Sequence, residues 1–238
     1  KISGDVSEAI KYYHSALDIN PAYSPAHYNL GVVFSEMNDF KEALNWYHRA
    51  LKHNPYYPEC YCNIGVIYKN GARLSDAIAY YEKALAVNPN FTIAKNNLAI
   101  AYTDLGTHVK NEGDLKAGIR HYKKALFYNS AYPDAYYNLG VAYGESGRFE
   151  KAVPNYELAL HFNNNCAEAC NNLGVLYKDH DNLERATFYY NAALAINPKF
   201  SQAYNNIGVV YTVQGRLDDA LAQIKQAILL NPTYAEAY

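Results

Sequence analysis

Small and bulky apolar residues recur along the chain with a period of 34 residues. In the block that starts at Ser24, for example, positions 8, 11, 20, 24 and 27 are Gly31, Phe34, Ala43, Tyr47 and Ala50. Apolar residues three and four positions apart are typical of amphipathic helices. The small residues let two helices approach each other, and the aromatic residues fill the space between them. The pattern therefore predicts two packed antiparallel helices in each block and an all-α fold.

The same register divides the chain into repeats. Residues 1–23 match the second half of a block, and the block at 92–132 is longer than the others by seven residues, most simply 107–113. Because seven residues are close to two helical turns, we expect the first helix of this block to be extended. A looped-out turn between Gly106 and Gly113 is the alternative. The predicted units are 1–23, 24–57, 58–91, 92–132, 133–166, 167–200, 201–234 and a truncated repeat at 235–238.

Asparagine occupies two fixed positions in the repeat. Position 31 is Asn in all seven units, and Pro follows it in five of them. Asn tolerates the left-handed conformation and Pro cannot continue a helix, so this series is interpreted as helix ends. The second series, called the asparagine ladder below, is at position 6 within the predicted first helices and consists of Asn29, Asn63, Asn97, Asn138, Asn172 and Asn206.

The ladder predicts a peptide-binding groove. Asn is a mediocre helix former, so its recurrence inside helices suggests a function. Helical spacing places positions 2, 6, 9 and 13 on one stripe, away from positions 8 and 11, which pack against neighbouring helices. An Asn amide can pair with both the N–H and the C=O of an extended peptide. The alternative is that each amide bonds the neighbouring repeat and only stiffens the array. The candidate peptide-binding residues are the ladder, the position-5 residues Asn96, Asn171 and Asn205, and the position-13 carboxylates Asp104, Glu145 and Asp179.

Composition argues against several classes of partner. The net charge is −2 and the isoelectric point is near 6.5, with Lys and Arg scattered along the chain. A chain with this charge does not have the basic surface that is typical of a nucleic-acid-binding protein. Although half of the residues are hydrophobic, no stretch approaches the ~20 apolar residues that span a bilayer. We therefore expect neither nucleic acid nor membrane as a partner.

The sequence also lacks the patterns of metal or catalytic sites. Its four cysteines and eight histidines do not have metal-ligand spacing, so free, mostly buried thiols in a reducing compartment are expected. The glycines stand at repeat positions and not in a phosphate-binding loop. Carboxylates near the starts of the second helices fit helix capping. We expect no catalytic residue, metal or cofactor in this segment.

The small–aromatic–small code resembles the tetratricopeptide repeat, which implies a solenoid, a right-handed superhelix of antiparallel helix pairs. An Asn at position 6 of successive repeats resembles the repeat arm of the nucleocytoplasmic O-GlcNAc transferases, whose asparagine ladder holds acceptor polypeptides. The chain is similar in particular to the repeat region of the SPINDLY group of plant protein O-fucosyltransferases, and the similarity is expected over essentially the whole chain. The stretches that carry it are CAEACNNLGVLYK at 166–178, GVVYTVQG at 208–215 and AILLNPTYAEAY at 227–238.

This resemblance implies a parent enzyme that transfers a sugar to Ser or Thr of nuclear and cytoplasmic proteins. The donor would be GDP-fucose in the SPINDLY group and UDP-GlcNAc in the sister group, and the catalytic domain would follow Tyr238. The implied partners are acceptor proteins with unstructured Ser/Thr-rich segments, and the implied process is plant hormone (gibberellin) signalling. The alternatives are a scaffold that binds proteins or self-associates, and a chaperone-adaptor clamp. A clamp needs Lys and Arg in the groove, and positions 2 and 6 have neither.

Overall fold

The structure is a computed structural model that describes the backbone of residues 2–232 and the side chains of residues 6–232. The predicted truncated repeat at 235–238 lies outside these residues. The described chain contains thirteen α-helices and no strand, so the all-α prediction is confirmed. The helices are α1 (Ile2–Ile19), α2 (Ser24–Glu36), α3 (Phe40–His53), α4 (Pro58–Asn70), α5 (Leu74–Val87), α6 (Thr92–Asn111), α7 (Leu115–Tyr128), α8 (Pro133–Glu145), α9 (Phe149–Phe162), α10 (Ala167–Asp179), α11 (Leu183–Ile196), α12 (Ser201–Val213) and α13 (Leu217–Leu230).

The helices are divided between two compact units. The first contains residues 1–105 and 127–129, and the second contains 106–126 and 130–238. Within the first unit α2 packs on α3 and α4 on α5, and within the second α8 packs on α9, α10 on α11 and α12 on α13. Each of these five first helices therefore finds its main partner in the helix that follows it. The core of each unit lies between these pairs and is built largely from alanine and tyrosine.

Four helix pairs, α2–α3, α4–α5, α8–α9 and α10–α11, are closed by a contact between a position-8 glycine and a position-24 tyrosine ring, whereas α12–α13 has Ile224 opposite Gly208. A Cβ atom built on Gly140 would lie 2.7 Å from Cδ1 of Tyr156, and one built on Gly174 would lie 2.4 Å from Cε1 of Tyr190. Real Cβ atoms do not approach a ring carbon this closely, so only glycine permits this distance between the helices. The same contact joins Gly31 to Tyr47 and Gly65 to Tyr81.

Helix α6 shows where the seven additional residues lie. It has 20 residues, whereas the other first helices have 13, so the predicted extended helix is confirmed. The register differs from the prediction, because Gly106 and not Ala99 takes the glycine position opposite the Tyr122 ring, with a built Cβ 2.7 Å from Cε1. The extra two turns therefore precede Gly106. Two turns return a helix to nearly the same face, so both ends of α6 present repeat-like faces.

The helix ends correct the interpretation of the position-31 asparagines. Asn54 and Asn163 have extended backbone with φ of −136° and −142°, and not the expected left-handed conformation. Each Oδ1 instead accepts a hydrogen bond from the backbone N–H two residues later, at 3.0 Å for Asn54 and 3.1 Å for Asn163. This is an Asx turn, which Asn and Asp form readily. The residues with positive φ lie between the two helices of a repeat: Asn38, Ala72, Gly147, Asp181 and Gly215 at position 15, and Gly113 in the longer block.

The Gly–Tyr contact predicts opposite effects of alanine at two glycines of α8. Gly140→Ala should lower the free energy of unfolding by about 1–3 kcal/mol, because the new methyl group overpacks against Tyr156. Gly144→Ala should leave it unchanged or raise it by up to ~1 kcal/mol, since a Cβ there would lie 3.7 Å from Cδ2 of Leu176. Urea denaturation measures both variants. Equal destabilisation of the two variants would show that the Gly140–Tyr156 contact does not determine the cost of the added methyl group.

Ala72 predicts a stabilising substitution. Its φ of 58° is left-handed, which costs a residue with a Cβ roughly 1–2 kcal/mol. Ala72→Gly should therefore raise the melting temperature, by an amount equivalent to about 1 kcal/mol. The control is Ala79→Gly at an exposed position inside α5, which should lower stability by about 0.5–1 kcal/mol. A loss of stability in both variants would show that φ at Ala72 carries no strain.

Candidate peptide-binding site

The asparagine ladder lies on the first helices of both units. All six side chains are partly exposed, and none is buried. Asn29, Asn63 and Asn97 belong to the first unit, whereas Asn138, Asn172 and Asn206 belong to the second. Each unit therefore offers three of the predicted amides.

Two ladder amides are held by pairs of tyrosine hydroxyls. Asn63 Nδ2 donates to Tyr28 Oη at 3.2 Å and to Tyr47 Oη at 3.3 Å. Tyr28 stands at position 5 and Tyr47 at position 24 of the preceding repeat. The second unit has the same arrangement, in which Asn172 Nδ2 donates to Tyr137 Oη at 3.4 Å and to Tyr156 Oη at 3.3 Å.

Two further amides donate to shorter position-5 side chains. Asn97 Nδ2 donates to Cys62 Sγ at 3.2 Å, and Asn206 Nδ2 donates to Asn171 Oδ1 at 2.9 Å. In all four cases a ladder residue bonds the position-5 residue 35 residues earlier. Asn138 differs, because its Nδ2 donates to the Asp134 carbonyl within α8 at 2.9 Å.

The three predicted position-5 residues differ in the exposure of their side chains. Asn171 and Asn205 are buried, with 7% and 6% of their surface exposed. They therefore lie in the packing between helices, where they offer almost no surface to a peptide. Asn96 is exposed, and its Oδ1 accepts a hydrogen bond from Asn129 Nδ2 at 3.1 Å. We do not retain Asn171 and Asn205 as groove residues.

A cavity of about 280 Å³ in the second unit brings three predicted residues together. Asn172, Glu145 and Asp179 line it, and Val141 and Val175 contribute apolar surface. These residues occupy positions 6, 13 and 9 of neighbouring repeats, as the stripe predicts. The cavity thus combines an amide and two carboxylates above an aliphatic floor.

The carboxylates of this cavity are paired with lysines. Lys110 Nζ lies 2.8 Å from Glu145 Oε1, and Lys178 Nζ lies 3.3 Å from Asp179 Oδ1. Lysines outside positions 2 and 6 therefore reduce the negative charge that the stripe alone predicts. The third predicted carboxylate, Asp104, is exposed on α6 two residues before Gly106. Asn138 likewise precedes Gly140 by two residues, so Asp104 stands where a ladder residue would stand in this part of α6.

The tyrosines that hold the ladder were not among the predicted site residues. Burial raises the pKa of Tyr47 and of Tyr156 well above the usual range, against the opposing effect of the hydrogen bonds from Asn63 and Asn172. Both hydroxyls therefore stay neutral at physiological pH. The sequence signal that could have found them is the pair of tyrosines that stands 35 and 16 residues before Asn63 and again before Asn172.

The four cysteines are free thiols. Cys60, Cys62 and Cys170 are buried and Cys166 is partly exposed. Burial raises the pKa of each thiol, to about 11 for Cys170. Within the described residues, no group of three or more His, Cys, Asp and Glu side chains could hold a metal ion. No helix in this part of the chain has the length and apolar character required to cross a membrane.

Family comparisons match most of the chain to one kind of repeat. A family model described as tetratricopeptide repeat matches residues 24–57, 58–91, 133–166 and 201–234, and a second model of that description matches 167–200. A model described as TPR repeat matches 2–38 and 111–147. These ranges leave out residues 92–110, which form most of α6.

Three known proteins illustrate the similarity. A rice (Oryza sativa subsp. japonica) protein named probable UDP-N-acetylglucosamine–peptide N-acetylglucosaminyltransferase SPINDLY is 63% identical over 109 residues, and the barley (Hordeum vulgare) protein of that name is 62% identical. Each match covers 46% of this chain, less than the whole-chain similarity expected, and 12% of the relative. The crystal structure of YrrB, described as a TPR protein with an unusual peptide-binding site, shares the fold with a TM-score of 0.61. Its sequence identity is 24%, over 80% of this chain and 95% of that one.

The thiol environments predict selective labelling. A thiolate is the reactive form of cysteine, so the raised pKa values and burial should leave Cys166 as the single thiol that reacts readily with DTNB at pH 8. Its rate should rise with pH as the thiolate fraction grows. Four thiols should react after unfolding in guanidinium chloride. The Cys166→Ser variant is the control. Rapid reaction of a second thiol in the folded protein would contradict the burial of Cys60, Cys62 and Cys170.

Proposed function

The chain belongs to the tetratricopeptide repeat family, and on this premise we propose that it binds extended polypeptide along the asparagine ladder. The observation that carries the proposal is the cavity that Asn172 lines together with Glu145 and Asp179. An amide that recurs at one repeat position can follow the backbone of an extended chain whatever its side chains. The valines beneath the amide add apolar contact without selecting a particular sequence.

The expected affinity is modest. Each hydrogen bond contributes about 0.5–1.5 kcal/mol net, whereas ordering each peptide residue costs about 1–2 kcal/mol. Six amides therefore hold a chain weakly or moderately unless side-chain contacts add to the free energy of binding. Such affinity suits a polypeptide that is modified and then released.

We further propose that the chain is the acceptor-binding arm of a nuclear and cytoplasmic protein O-glycosyltransferase of the SPINDLY type. The similarity to the rice and barley proteins supports a glycosyltransferase parent. The names of those relatives specify UDP-N-acetylglucosamine as the sugar donor. The resemblance to the SPINDLY group implies instead that fucose is transferred to Ser or Thr, and GDP-fucose is therefore the donor proposed here. The transfer would take place in a catalytic domain outside this chain. The acceptors would carry unstructured Ser/Thr-rich segments and would include regulators of gibberellin signalling.

A structural scaffold is the competing function. The bonds from Asn63, Asn97, Asn172 and Asn206 to the preceding repeat favour it, because they join successive repeats. The two functions differ in what they require of the amide oxygen. A scaffold needs only the Nδ2 bonds, whereas a binding groove needs an accessible oxygen as well.

The ladder is tested by replacing Asn97, Asn138, Asn172 and Asn206 together with alanine. The probe is a fluorescein-labelled, unstructured Ser/Thr-rich peptide of about 20 residues, and the measurement is fluorescence anisotropy. Four lost contacts of about 0.5–1.5 kcal/mol each should raise the dissociation constant at least about thirtyfold.

The matched control replaces asparagines of the second helices, Asn45, Asn155 and Asn191, with alanine. It should bind the peptide as the parent chain does. Circular dichroism should show the same helical content in all three proteins. Unchanged peptide binding by the ladder variant with intact helices would refute the proposed function and favour the scaffold.

A further inference from the structure

The four ladder amides that bond the preceding repeat are of two kinds. An Asn side chain has two N–H donors and one carbonyl acceptor. In Asn63 and in Asn172 the Nδ2 group donates to two tyrosine hydroxyls, so both donors are used. Only the carbonyl oxygen of these two residues remains for a ligand. We call Asn63 and Asn172 the tyrosine-held amides.

Asn97 and Asn206 are held by one bond each. Their Nδ2 groups donate to Cys62 Sγ and to Asn171 Oδ1, respectively, which leaves one N–H and the carbonyl oxygen. The position-24 tyrosines next to them take no part. Tyr81 and Tyr190 are completely buried, and their hydroxyls have no hydrogen-bond partner among the described residues.

The carbonyl oxygens of all four amides have no hydrogen-bond donor among the described residues and are not fully buried. In the second unit, the Asn172 side chain that carries one of these oxygens lines the cavity together with Glu145 and Asp179. A ligand in the groove therefore meets carbonyl acceptors at these residues.

The residue at position 5 decides which kind of amide forms. Tyr28 and Tyr137 each bring a hydroxyl to the next repeat, and each lies 5.8 Å, centroid to centroid, from the position-24 ring that supplies the second hydroxyl. Cys62 and Asn171 have shorter side chains and supply a single acceptor. The amide then bonds that acceptor, and the position-24 hydroxyls of Tyr81 and Tyr190 have no hydrogen-bond partner among the described residues.

We propose that the tyrosine pairs Tyr28–Tyr47 and Tyr137–Tyr156 are positioning residues that fix Asn63 and Asn172 as acceptors only. These two amides accept backbone N–H groups of the bound polypeptide and therefore discriminate against proline and N-methylated residues at those points. Asn97 and Asn206 pair with both the N–H and the C=O of the backbone. The inference rests on the proposed function of the groove and adds a constraint on the polypeptides that it binds.

The positioning role is tested without a ligand. Nitrogen-15 NMR measures hydrogen exchange of the Asn carboxamide protons in matched Tyr→Phe variants at position 24. Tyr156→Phe should speed exchange at Asn172 roughly threefold to tenfold, which corresponds to one lost hydrogen bond. Tyr190→Phe removes a hydroxyl without a partner and should leave exchange at Asn206 unchanged. Equal responses in the two variants would overturn the positioning role.

The acceptor-only role is tested with two peptides in the full chain. One is the fluorescein-labelled Ser/Thr-rich peptide, and the other has the same sequence with N-methyl groups at alternate residues. The N-methylated peptide should bind at least about tenfold more weakly. The Tyr137→Phe/Tyr156→Phe variant should narrow this difference, because it frees the N–H groups of Asn172 to bond peptide carbonyls. Equal binding of both peptides to the parent chain would overturn the acceptor-only role.

The outcomes separate this inference from the proposed function. If Asn172→Ala binds the unmodified peptide as tightly as the parent chain, the proposed function fails, whatever the exchange rates are. If Asn172→Ala weakens peptide binding while Tyr156→Phe and Tyr190→Phe give equal exchange rates, the positioning inference alone fails. Thermal unfolding of each variant shows whether the Tyr→Phe changes leave the helices intact.

Discussion

In four helix pairs, the core and the groove depend on the contact between a position-8 glycine and the ring of the position-24 tyrosine in the same repeat. It brings the two helices of a pair closer than any side chain at the glycine would allow. The same contact fixes the position of the tyrosine ring that carries the hydroxyl. At Tyr47 and Tyr156 that hydroxyl meets the ladder amide of the following repeat. Core packing and the geometry of the groove thus depend on the same side chain.

This dependence changes the relation between the two interpretations of the ladder. Bonds from the amides to the preceding repeat first suggest a purely structural role. They use the N–H groups, however, and leave each carbonyl oxygen unpaired and not fully buried. An amide that is already hydrogen-bonded to the preceding repeat is also preorganised. Its rotamer is fixed before a ligand arrives, so less entropy is lost when the ligand binds. Structural bonding and peptide binding are therefore compatible uses of one side chain.

Helix α6 shows how a repeat array accommodates an insertion. Its first turns keep Asn97 in register with Cys62 of the preceding repeat, and its last turns keep Gly106 in register with Tyr122. Both registers persist because seven residues make almost two complete turns. One helix consequently carries Asn97 and Asp104 at the two places that a ladder residue would occupy. The second place holds a carboxylate, so any contact that it makes with a polypeptide differs from that of an amide.

The sequence by itself determined the all-α fold, the repeat period and the face of the first helices on which the ladder lies, because each follows from local helical periodicity. It favoured an extended α6 but left a looped-out turn as the alternative. Only the tertiary structure decided the partners of the ladder amides, the burial of Asn171 and Asn205, and the lysines beside Glu145 and Asp179. It also placed the helix-ending Asn residues in Asx turns and gave the glycine position of α6 to Gly106. These features depend on atoms from different repeats or on side-chain rotamers. A 34-residue period fixes which residue occupies a position but not which of its atoms meets the neighbouring repeat.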